Sequence, residues 1–138
     1  MGEARKYIIT CGLGAFAAND TNAQAHFGPN AGQKAQELLA ISTERANKAG
    51  FELVRCDANP QDPDDTMKRF VETLRSREFV GLNIGFGLRG HKENTGLFEK
   101  MLNTAWALSP GIKVMFSNGP QEVITAIQRQ FPEDFEST

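Results

Sequence analysis

The stretch Val80-Gly-Leu-Asn-Ile-Gly-Phe-Gly-Leu-Arg-Gly-His-Lys-Glu-Asn-Thr95 alternates strictly at its start and changes character halfway along. In an extended chain Val80, Leu82, Ile84 and Phe86 fall on one face and Gly81, Asn83, Gly85 and Gly87 on the other, which predicts a strand. Three glycines on one face leave room for a ligand, another backbone or a closely packed helix. A polar loop with Arg89, His91, Lys92, Glu93 and Asn94 follows. Asn94 then suits the N-cap of a helix over 95–108 that turns Leu97, Phe98, Met101, Leu102, Ala105 and Leu108 inward. A strand feeding through a loop into an amphipathic helix is the unit of a parallel α/β sheet, whose ligands dock at the carboxyl ends of the strands.

The same unit recurs on both sides of this stretch. Residues 6–11 are a short apolar run that stops at Gly12-Leu-Gly14, followed by a long polar loop over 15–32. A helix over 33–49 carries Ala35, Leu38, Leu39, Ser42 or Ala46, and Ala49 on its inner face, with Gly50 as its left-handed cap. Residues 51–56 form the second strand, whose polar content suits an edge. Asp62 at the N-cap and Pro63 at the first helical position begin a helix with Met67, Phe70, Val71 and Leu74 inward. A fourth strand over 112–116 passes through Ser117-Asn-Gly-Pro120 to a last helix with the stripe Val123, Ile124, Ile127 and Phe131. Residues 133–138 read as a frayed acidic tail.

Four strand–helix units predict a three-layer α/β sandwich, flavodoxin-like or Rossmann-like, with a four-stranded parallel sheet in the order 2-1-3-4. The 138 residues fit one domain. A net charge of −2, with no Lys/Arg-rich stripe, gives nucleic-acid binding little electrostatic footing. No apolar run approaches the roughly 20 residues that span a bilayer, and no signal-peptide core precedes the first strand, so a soluble, cytoplasmic protein is expected. Cys11 and Cys56 have no CxxC partner and read as buried, reduced thiols. The aspartates at 57, 62, 64 and 65 lack the spacing of a calcium loop and read as helix-start residues, so no metal is expected. An exposed fourth strand near Trp106, Met115 and Phe116 suggests a homo-oligomer formed through that strand or the last two helices.

With this strand order, the loop after the first strand and the loop after the third flank one crevice. Gly12, Gly14, Asn19, Gly85, Gly87, Asn94, Ser117 and Asn118 are the candidate binding residues there. Arg89 offers a planar cation for a carboxylate or phosphate, and His91 a proton-transfer group near neutral pH. His26, in the first loop, is placed to meet His91. The leading expectation is a protein that binds an anionic small molecule, with or without acid–base turnover; the alternative is a non-catalytic oligomerising or partner-binding module. Gly12-Leu-Gly-Ala-Phe-Ala17 resembles the G-x-G-x-x-A phosphate-binding turn of Rossmann dinucleotide-binding proteins, which implies NAD(P) or flavin, with Asp57 in the place of the ribose-binding acid. Here, however, the glycine turn does not open a helix directly, and Asp57 lies far beyond the usual spacing of about 20 residues. A phosphoacceptor site, a P-loop, a GxSxG elbow and an HExxH motif are all missing from the sequence.

Overall fold

The register of the strands decides where each side chain goes. In the computed structural model, which describes residues 5–14, 16, 25, 28 and 30–135, Ile8 lies beside Leu53 and Gly81, and Ile9 beside Val54 and Leu82. Strands β1 (Lys6–Gly12), β2 (Phe51–Asp57), β3 (Gly81–Gly85) and β4 (Lys113–Ser117) form one all-parallel sheet in the order β2-β1-β3-β4. This is the expected topology, and the five helices described complete a three-layer α/β fold. They are α1 (Ala31–Lys48), α2 (Pro63–Ser76), α3 (Phe86–Arg89), α4 (Thr95–Leu108) and α5 (Val123–Gln130).

Alternation along the strands divides the core in two. Ile9, Cys11, Cys56, Leu82 and Ile84 pack against Phe70 and Leu74 of α2 and Leu97, Met101 and Ala105 of α4. On the opposite face Ile8, Phe51 and Met115 meet Ala46 of α1 and Val123, Ile124, Ala126 and Ile127 of α5. Phe51 and Phe70, one in each layer, are wholly buried, and each contributes about 1.5–3 kcal/mol of hydrophobic stabilisation. The helix boundaries follow local chemistry. Gly50 takes φ +93° just beyond α1, and Asp62 Oδ1 accepts from the Asp65 N–H at 3.2 Å ahead of Pro63.

Several local expectations need correction. The alternating run does not continue through Phe86 and Gly87: the ladder between β1 and β3 ends at the Cys11–Ile84 pair, and the chain coils into α3 after Gly85. Without a neighbouring strand there, the backbone bonds to itself, Gly90 N–H donating to the Phe86 carbonyl at 2.7 Å. Leu88 takes the inward place and Phe86 stays exposed. Val80, one residue before the strand, packs against the Ile8 cluster instead of the Leu82 face. Asn94 sits at the start of α4 but does not cap it; its buried Nδ2 donates to the Gly87 carbonyl at 2.9 Å, bracing α3 against the turn that follows. At the far end of α4, Leu108 is exposed. Of the acidic tail, Asp134 pairs with Lys6 at 3.1 Å and Phe135 stacks on Phe51, while 136–138 lie outside the described residues. No helix among the described residues is long and apolar enough to cross a membrane.

Candidate functional site

On the face covered by α1 and α5, each strand turns polar or loses its side chain as it approaches its carboxyl end. β1 passes from Ile8 to Thr10 and Gly12, β2 from Leu53 to Arg55 and Asp57, β3 from Gly81 to Asn83 and Gly85, and β4 from Met115 to Ser117. The helices seal the apolar half. Above the polar half lies a cavity of about 620 Å³, within the range of small-molecule sites. Its floor includes Thr10, Asn83 and Ser117, its walls Leu13, Ala35, Leu39, Phe86 and Val123, and its lining reaches Gln36, His91 and Asn118. The cavity spans the ends of β1 and β3, where the strand order reverses and open α/β sheets bind their ligands.

Glycines keep the floor low. Among the described residues no heavy atom lies within 4 Å of the point where a Gly12 Cβ would sit, so this strand residue leaves space above it. A Gly85 Cβ would make only ordinary contact with the Cys11 carbonyl, at 3.6 Å. Gly14 differs: its φ is +51° and the Asp57 carboxylate lies where its Cβ would be. Asp57 also bonds Arg55 Nη2 at 2.8 Å, and its carbonyl accepts from Arg69 at 2.6 Å. The charges of Arg55 and Asp57, both in the lining, are therefore turned on each other.

Asn83 is 1% exposed, and its Nδ2 donates to Thr10 Oγ1 at 2.9 Å. Its Oδ1 has no hydrogen-bond partner among the described residues. Buried polar atoms are rarely left that way, because each costs about 1–3 kcal/mol.

The structure brings together most of the residues singled out from the sequence. Gly12, Gly14, Gly85, Gly87, His91, Ser117 and Asn118 all line the cavity. Arg89 does not. Its Nη2 donates to Asn118 Oδ1 at 2.5 Å and reaches the Ser117 carbonyl at 3.4 Å, and the guanidinium carbon lies 5.3 Å from the Phe86 ring centre and 5.4 Å from that of Phe116. Arg89 thus holds the β4 turn. Asn94 has the bracing role described above and is not in the lining. Asn19 and His26 lie outside the described residues. His91 meets Phe86 edge-on at 5.6 Å, and no hydrogen bond to its ring is made by the described residues.

Thr10, Asn83, Gln36, Leu39 and Val123 were not anticipated as site residues. The signal for the first two was present: they are register partners on adjacent strands, Thr10 a polar residue in an apolar run and Asn83 the one side chain on a face of glycines. Cys11 and Cys56 are register partners on β1 and β2, and both thiols are free and buried. Burial, together with the bond to Cys56, pushes the Cys11 thiol well up, while the bond from Cys11 lowers that of Cys56 against its own burial. Their side chains belong to the α2–α4 core, on the opposite face of the sheet from Thr10 and Asn83, and Cys11 also borders the cavity. Among the described residues no group of three or more His, Cys, Asp and Glu is placed to hold a metal ion. Compared with protein-family models, curated proteins and solved structures, the chain shows no match.

Proposed function

We propose that this protein binds a small organic molecule in the cavity at the carboxyl ends of its strands. The observation that carries the reading is the cavity itself: about 620 Å³, mainly apolar in its walls, with a few polar groups converging at the point where the strand order reverses. The expected anionic group of the ligand belongs at the mouth, beside His91 and Asn118. With Asn118 Oδ1 engaged by Arg89, the Asn118 NH2 is the half of that amide turned to recognition, and the nearby guanidinium favours negative charge. Arg89 is then a positioning residue rather than a direct anchor. Binding is better supported than turnover, because a general acid or base needs an orienting partner and none of the described residues hydrogen-bonds the His91 ring.

A thermal-shift screen of anionic metabolites and dinucleotides tests the reading. A ligand at 100 times its Kd adds about 2.7 kcal/mol of stability. Hits with the wild-type protein are expected to vanish in Gly12→Val, whose side chain projects into the cavity from a strand position that accepts β-branching. Arg89→Ala is expected to weaken them only several-fold. A flat response from wild type, or hits that survive Gly12→Val, would remove the proposal.

One observation favours the dinucleotide alternative: Asp57, at the end of β2, lines the cavity against Gly14. Against it, α1 begins at Ala31 and not at the glycine turn, and Arg55 already holds the carboxylate. NAD(P) or flavin binding abolished by Asp57→Asn would favour that reading. The oligomer alternative draws on Trp106, 47% exposed, and Phe116, 37% exposed. The two free thiols suit a reducing compartment such as the cytoplasm.

A further inference from the structure

We infer that the group this cavity recognises at its floor is an uncharged, planar amide or lactam edge, carrying a hydrogen-bond donor beside an acceptor. This deepens the proposed function and rests on it. Asn83 spends one Nδ2 hydrogen on Thr10 and leaves Oδ1 and the second Nδ2 hydrogen without a partner among the described residues. Turning the amide over would not satisfy it: the Thr10 hydroxyl would then donate to Oδ1 and the NH2 would be left. In either orientation the buried amide lacks a bond that a ligand entering from above can supply.

The surroundings select against charge. Thr10, Asn83 and Ser117 are all neutral and all buried, so an ion reaching them would lose its water without meeting a counter-charge. Arg55 and Asp57 bond each other and present little net charge to the floor. An amide offers both a donor and an acceptor and carries no ionic desolvation cost. Asparagine pairs with such donor–acceptor edges when it reads adenine. The absence of a side chain at Gly12, with no described atom within 4 Å of its Cβ position, leaves room for a flat ring to approach the strand ends.

Matched pairs of probes test the inference: benzamide against benzoate, and nicotinamide against nicotinate. Affinities are measured by ligand-observed NMR titration with wild type, Asn83→Leu and Gly12→Val. The amide of each pair is expected to bind wild type about fivefold or more tightly than its carboxylate, since mismatching one buried polar group carries at least that factor. Asn83→Leu should erase the preference, and Gly12→Val should remove binding of both members. Carboxylates that bind as well as amides and are lost in Gly12→Val would overturn the amide inference while leaving the cavity reading in place. Amide preference that survives Asn83→Leu, or no amide binding to wild type, would also overturn it. Probe binding untouched by Gly12→Val would instead remove the cavity reading. Should Asn83→Leu fail to fold, the wild-type ranking within each pair still decides.

Discussion

At the scale of single residues, Asn83 and Gly14 make opposite demands on stability. A buried amide with one atom unpartnered is a burden in the ligand-free protein, and Asn83→Leu, alike in branching and apolar, removes it while giving up the bond to Thr10, so stability is expected to stay within about 1 kcal/mol of wild type. Urea denaturation measures this, and a loss of several kcal/mol would show that the amide holds the fold rather than serves a ligand. Gly14→Ala meets two obstacles, a φ of +51° and the Asp57 carboxylate at the Cβ position. Strain of this kind costs on the order of 1–3 kcal/mol, so the midpoint should fall, and a neutral result would mean that the turn relaxes freely. Gly12, two residues earlier, has ordinary strand geometry and space around it, which is why it is the place to close the cavity without disturbing the fold.

Between elements, one hydroxyl ties α1 to the start of α5. Ser42 is fully buried, donates to the Pro120 carbonyl at 2.9 Å and accepts from the Ile124 N–H at 3.2 Å. Ser42→Ala leaves both backbone groups without that partner and should destabilise by about 1–3 kcal/mol. Pro120 and Val123 line the cavity, so the same variant should also weaken ligand binding measured by thermal shift. Unchanged stability would mean that the turn before α5 finds other partners. Sequence periodicity offered Ser42 or Ala46 for the inner face of the helix, and both are buried, but the partners of Ser42 come from a segment 78 and 82 residues away, and spacing within one helix carries no information about them. Asn94 teaches the same point: its position before α4 suits a cap, yet a carbonyl of the preceding turn competes for the amide and takes it.

For the molecule as a whole, the sheet has two edges, and the β4 edge is guarded. Lys113 N–H donates to the Val80 carbonyl, so Lys113, Met115 and Ser117 direct their backbone groups to β3, whereas Val114 and Phe116 direct theirs outward. Arg129 of α5 donates to the Phe116 carbonyl at 2.7 Å, and the exposed Lys113 reaches back to the Gln130 carbonyl at 3.1 Å. Such cationic cover discourages a further strand from pairing with β4. Self-association by strand pairing would have to displace Arg129. Arg129→Ala is therefore expected to increase concentration-dependent association in sedimentation velocity, and no change relative to wild type would show that this contact does not guard the edge.

By itself the sequence determined the α/β class, the four strand–helix units and the strand order, because the period of apolar residues and the Gly, Pro and Asp signals at element ends are local properties of the chain. It also pointed to the strand ends, where the cavity lies, a consequence of parallel topology. Tertiary structure alone decided which side chains share the cavity. Thr10 and Asn83, 73 residues apart, meet only through the β1–β3 register, and Arg89 is drawn out of the lining by an amide and two rings contributed by other segments. Hydrogen bonds and ring contacts between distant residues depend on register and on competition among partners, and neither is written in the spacing of a single stretch.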